Sequence, residues 1–271
     1  MSPTRLHLKT GITPDTALRV LNELIMTIGN VTARVNDPEG FRDEYVDWVV
    51  KAENQLSGLT HDPDIVDHLL THRYWQIHRL PELARPFYVV DSEVQTQKAW
   101  LTAIKSDFEH RVARATAAPG HLTIIDTNVL LHYLPPEQIK WPEIVGKLHV
   151  RLVIPLRVIE ELDEKKYTGS ARIAKRAREI LPRIERSVGE AGLPGPLQSH
   201  VTIEVLTEPG QRHRPTDADE EILNTAAELR DLSGGEATIV TGDTGARLRA
   251  QALSLRTIRP PDTFLRDKDS G

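Results

Sequence analysis

The chain has 271 residues, carries 34 Lys and Arg against 39 Asp and Glu for a formal net charge of −5, and contains no cysteine. That length suits one large domain or two ordinary ones, and the missing cysteines exclude disulfide frameworks and cysteine zinc sites while fitting a reducing compartment. No apolar run approaches the roughly 20 residues that span a bilayer, and the opening MSPTRLHLKTG lacks the apolar core of a secretory signal. A cytoplasmic protein with no membrane contact is expected, and its acidic average excludes coating of nucleic acid by bulk charge.

The first part of the chain reads helical. Thr13-Pro14-Asp15 pairs an N-cap with proline at the first helical position, and Leu18, Leu21, Ile25 and Ile28 follow at helical spacing. Asp37-Pro38 opens a second helix with Phe41, Tyr45, Trp48, Val49, Ala52 and Leu56 on one face. A third is expected over about 62–80 and a fourth from about Ser92 to Ala115, with Leu101, Ile104, Phe108 and Val112 as its stripe. These segments predict a four-helix, all-α domain over residues 1–117. His72 to Arg79 interleaves aromatic and basic residues, a pattern that reads more readily as core packing than as a base-stacking surface.

The pattern changes at Ala118-Pro119-Gly120. Short β-rich runs are expected at Leu122–Ile125, Val150–Ile154, Val201–Val205 and Thr238–Thr241. Helical patterns lie near 156–165, 170–188, 218–232 and 244–252, with Gly189 to Pro196 as a loop. Alternation of strand and helix predicts an α/β domain over 118–271, a parallel sheet sandwiched by helices. Such sheets bind ligands outside the carboxyl ends of their strands.

Four places put acids at that edge. Asp126 follows the first strand in IIDTNVLL, and Glu160 and Glu161 lie early in the helix after the second strand in PLRVIEELDEKK. Asp217 and Asp219 open a helix in TDADEEILNTAA, and Asp243 follows the last strand in TIVTGDTGARL. Each has a structural reading of its own: a turn after a strand, acids favoured by a helix dipole, or an N-cap at Asp217. Together they describe carboxylates converging on one edge. Two such charges about 4 Å apart repel by roughly 4 kcal/mol at an effective dielectric of 20, which protons or hard divalent cations relieve.

These stretches resemble the PIN-domain nucleases over about residues 121–262. IIDTNVLL is similar to the family's first motif, LVIPLRVIEELDEKK to the second, DEEILNTAA to the third and TIVTGDTGARLRA to the fourth, in the family's order. The resemblance implies that Asp126, Glu161, Asp219 and Asp243 are the catalytic metal-site acids, with Asn128, Thr241, Asp217 and Glu160 supporting them from behind. Glu161 is preferred over Glu160 because the family's Glu directly precedes Leu, and Asp219 over Asp217 for its spacing to Ile222 and Ala226. It further implies a hydrolase dependent on Mg²⁺ or Mn²⁺, cleaving RNA by water attack on the phosphodiester. Compact members of the family act as toxins held by an inhibitor protein, so an antitoxin-like partner and a homodimer are further expectations. Competing readings are a PIN-like module that binds RNA or protein without turnover, and an Asp-nucleophile phosphatase. The phosphatase chemistry wants a second Asp where this chain has Asn128.

A polyanion also needs cations. Residues 165–186 hold eight Lys or Arg against two Glu, with Ile173, Ala177, Ile180, Leu181 and Ile184 as an apolar face. Arg172, Lys175, Arg176 and Arg183 are therefore expected on the solvated side as phosphate contacts. Pro182 is expected to kink or divide the helix. Gln211 to Arg214 offers further contacts.

Overall fold

The computed structural model describes residues 5–31, 36–79, 85–207 and 217–266, apart from the side chain of Ala191. The chain forms two compact units, Met1–Ala115 and Thr116–Gly271.

In the first unit, three long helices, α1 (Pro14–Gly29), α2 (Pro38–Leu59) and α5 (Pro86–Ala115), pack with two short ones, α3 (Pro63–Asp67) and α4 (His72–Ile77). The same device starts three of them: an oxygen-bearing residue caps a free amide and proline follows it. Thr13 accepts from the Thr16 amide at 3.2 Å, Asp37 from Gly40 at 2.9 Å and Asp62 from Asp64 at 3.0 Å. The single helix expected over 62–80 is two, because Thr71 caps a new start by accepting from the Tyr74 amide at 3.0 Å. The fourth helix begins at Pro86, six residues earlier than its apolar stripe indicates. On α1 the buried face is Ala17, Leu21, Leu24 and Ile28 rather than the stripe through Leu18 and Ile25, which are only half-buried. Tyr74 is buried while Trp75 is 58% exposed, so the core-packing reading of the aromatic segment holds for the first and not the second.

Within this bundle Glu93 is fully buried and held from three sides. Thr71 Oγ1 donates to its Oε1 at 2.7 Å, Gln97 Nε2 to the same oxygen at 3.0 Å, and Arg73 Nε to its Oε2 at 2.7 Å. These contacts tie α4 to α5.

The second unit is α/β. Its six-stranded sheet runs β3-β4-β2-β1-β5-β6, parallel except where β3 meets β4. The strands are β1 (His121–Ile125), β2 (Val150–Pro155), β3 (Gly195–Gln198), β4 (Val201–Leu206), β5 (Ala237–Val240) and β6 (Arg256–Ile258). Strand β2 is buried at every residue, and β5 likewise, as expected for a sheet covered on both faces. Arg151 is tolerated in β2 because Glu204 on β4, equally buried, accepts its Nε at 2.5 Å. Gly120 enters β1 at φ +126°, where a side chain would press on the Arg151 amide at 3.1 Å. The edge strands β3 and β6 arise where no strand was expected. Both are short and mostly half-buried, and their pairing with β4 and β5 stands in for an apolar signal.

Its described α-helices are, in order, α6 (Thr127–His132), α7 (Trp141–Val145), α8 (Leu156–Thr168), α9 (Ala171–Ser187), α10 (Ala218–Ser233) and α11 (Thr244–Ala252). Helix α9 passes through Pro182 without dividing. Pro182 is exposed, whereas Ala174, Ala177, Ile180 and Ile184 stay buried, so packing outweighs the one amide that proline lacks. No described helix is long and apolar enough to cross a membrane.

Candidate functional site

Strand β1 lies between β2 and β5, and the chain leaves it toward β2 and returns later on the other side as β5. The carboxyl ends of β1 and β5 therefore bound the crevice where open α/β sheets bind ligands. Asp126 sits there, between β1 and α6, with its amide on the Val240 carbonyl at 3.2 Å. It is 5% exposed. Although Asp126 occupies the N-cap position of α6, its side chain makes no capping bond. Instead Thr241 Oγ1 donates to Asp126 Oδ2 at 2.6 Å. That hydroxyl also accepts the Asp243 amide at 3.0 Å, linking the ends of β1 and β5.

Burial pushes the Asp126 carboxyl above the ordinary aspartate value, and the charges of Asp219 and Glu161 push it the same way. The Thr241 hydroxyl and the Thr127 amide pull against them. Two of the other motif acids thus act on Asp126. Glu161, half-buried on α8, accepts a hydrogen bond from the Thr127 hydroxyl. Asp219, on the first turn of α10, is ion-paired with Arg249 of α11. Asp217 is the N-cap of α10, its Oδ1 accepting the Asp219 amide at 3.0 Å, and its Oδ2 lies 3.8 Å from Arg249 Nη1.

Asp243 stands differently. Its carboxylate is exposed and caps α11, with Oδ1 accepting from the Ala246 amide at 2.7 Å. It reaches Asp126 through Thr241 rather than through its own charge. Glu160 faces Arg157, 3.5 Å away on the same helix. Asn128 is half-buried, and its amide makes no hydrogen bond among the described residues.

Among the described residues no three carboxyl or imidazole groups are grouped closely enough to hold a metal ion as they stand. Glu161 is turned to Thr127 and Asp219 to Arg249. The chemistry of the donor set nevertheless fits a hard divalent cation, since every donor is a carboxylate oxygen. Asp126, buried beside two like charges, is the group such a cation would relieve most.

Two residues here escaped sequence reasoning. Thr127 directly follows Asp126, but its grip on Glu161 spans 34 residues. Arg249 belongs to the fourth motif, and its partners lie on another helix.

The basic stripe divides. Arg172 and Lys175 are exposed, with no partner among the described residues. Arg176 corrects the expectation: it is 5% exposed, and its Nη1 donates to the Leu131 carbonyl at 2.9 Å. It ties α9 to the end of α6 and does not lie on the solvated side. Arg183 is half-buried and paired with Glu137. Gln211 to Arg214 lie outside the described residues.

The family model of the PIN domain matches residues 123–260, just over half of the chain. No curated protein matches. Among solved structures, a domain of a functionally unknown protein from Methanocaldococcus jannaschii DSM 2661 is similar at 16% identity and a TM-score of 0.34, covering 56% of this chain and 97% of that one.

Proposed function

The chain belongs to the PIN-domain family, and from that premise we propose that it is a metal-dependent endoribonuclease hydrolysing RNA phosphodiesters at the β1/β5 crevice. The observation that carries this reading is Asp126. A carboxylate buried at the ligand-binding edge, with two like charges acting on it, is costly unless a cation joins it.

Asp126, Glu161, Asp219 and Asp243 would hold Mg²⁺ or Mn²⁺. Such an ion supplies positive charge to the phosphoryl oxygens and lowers the pKa of a bound water. The chain's own residues do the positioning. Thr241 holds Asp126 Oδ2 and the Asp243 amide with one hydroxyl, so the acids of β1 and β5 keep a common orientation. Thr127 fixes Glu161 from the turn after Asp126. The exposed Arg172 and Lys175 suit phosphate contacts that are blind to sequence and sensitive to salt. An inhibitor protein, as held by the family's toxins, would act by covering the same crevice.

Labelled RNA and DNA, incubated with the protein and Mg²⁺, Mn²⁺ or EDTA, test the reading beside Asp126→Asn and Asp219→Asn. Cleavage of RNA that needs the metal and falls by about 10³-fold in Asp126→Asn is expected. Cleavage that survives EDTA, or is equal in both variants and the unaltered chain, would reject it. Metal-independent RNA binding without turnover would favour the non-catalytic module.

A further inference from the structure

Two arginines of α11 stand near the acids and are held in different ways. Arg247 is bound within its own loop, with Nη1 donating to the Gly242 carbonyl at 3.0 Å and Nη2 to Thr244 Oγ1 at 2.9 Å. Those partners are neutral, so its position does not depend on the charge of the site. Arg249, six residues beyond the helix-capping Asp243, reaches out of its helix to α10, where Nη2 pairs with Asp219 Oδ2 and Nη1 lies 3.8 Å from Asp217 Oδ2.

We propose that Arg249 is a phosphate-binding residue of this site, held on Asp219 and Asp217 in the metal-free chain and released to the substrate when a divalent cation takes Asp219. The inference rests on the metal-dependent reading above. Three features support it. The pair is solvent-exposed on both sides, at 48% and 38%, so it is screened and weak enough to yield to a divalent ion. Asp217 is fixed by its cap of the Asp219 amide, so it keeps one carboxylate oxygen near the guanidinium and limits how far Arg249 departs. Finally, the planar fork that matches a carboxylate matches a phosphate equally well. Once Asp219 is occupied by a cation, the guanidinium is left beside the crevice and repelled by the new positive charge. An incoming phosphate is then its natural partner.

The test uses the full chain with two probes. Mn²⁺ affinity is read from the electron paramagnetic resonance of the free ion. Phosphate affinity is read with adenosine 5′-monophosphate, an ester that diester hydrolysis does not consume. In Arg249→Met, Mn²⁺ should bind about three- to tenfold more tightly, because a competing positive charge has gone. At saturating Mn²⁺ the same variant should bind the nucleotide about tenfold more weakly, with no difference between the chains when metal is absent. Arg249→Lys should bind Mn²⁺ as the unaltered chain does and recover only part of the nucleotide affinity, since it keeps the charge and loses the fork. Equal or weaker Mn²⁺ binding in Arg249→Met, or unchanged nucleotide affinity, would overturn the inference alone. Absence of Mn²⁺ binding to the unaltered chain would overturn the metal-dependent reading and this inference with it.

Discussion

Glu93 and Asp126 are both buried carboxylates, one in the helical unit and one in the α/β unit, and they are treated in opposite ways. Glu93 receives a hydroxyl, an amide and a guanidinium, so its charge is answered within its own unit. Asp126 receives one hydroxyl, and two further carboxylates act against it. The α/β unit is able to give a buried acid a cationic partner, as Arg151 does for Glu204. Asp126 thus stands at the crevice with no basic side chain paired to it among the described residues, and under the proposed function a bound cation would supply the missing charge.

Three perturbations sharpen that contrast. The largest concerns the paired acids. Arg151→Met leaves Glu204 buried without its cation and should lower stability by about 3–5 kcal/mol in chemical denaturation. A loss near zero would mean that a buried acid in this sheet needs no partner, which would remove the meaning of Asp126. Glu93→Gln comes next. It keeps the contacts of Thr71 and Gln97 but loses the charge facing Arg73, which is 40% exposed, so a loss of about 1 kcal/mol is expected. Asp126→Asn should move stability the other way in metal-free protein, and a common sign for the two variants would break the comparison.

The smallest effect is one of pH. Burial lowers the imidazole pKa of His68, which is stacked on Trp100, and of His121 and His132, where nearby Lys or Arg charges add to the effect. For His68 the charge of Glu93 opposes the shift. A folded-state value below the unfolded one favours the neutral ring. Stability from these groups is therefore complete above about pH 6.5 and declines as the pH falls through the lowered values. Hydrogen exchange between about pH 7.5 and pH 5 should show protection declining around each of these histidines. A flat profile would contradict this.

Part of the candidate site was legible because the α/β alternation fixes where strand ends lie: Asp126 and Asp243 follow strands, Asp219 opens a helix, and Glu161 lies one turn and a half into the helix after β2. Local chemistry also told the truth at Thr13, Asp37 and Asp217, whose caps form as their sequence neighbours indicate. What stayed hidden was tertiary. A run of basic residues says nothing about which one turns inward; Arg176 does so, donating to the Leu131 carbonyl. Thr71 breaks a helical pattern whose other partner, Glu93, lies 22 residues away. Strands β3 and β6 exist by pairing alone, with little apolar periodicity to announce them. Arg249 reads as one more charge on an exposed helix until α10 is placed beside it.

Thermal unfolding of the metal-free chain and of Asp126→Asn, each repeated across a Mn²⁺ titration at neutral pH, tests most directly whether Asp126 awaits a cation. The account predicts that Asp126→Asn melts higher than the unaltered chain without metal, and that Mn²⁺ raises the melting temperature of the unaltered chain far more than that of the variant. A metal-free variant that melts lower, or an unaltered chain whose melting temperature Mn²⁺ does not move, would contradict it.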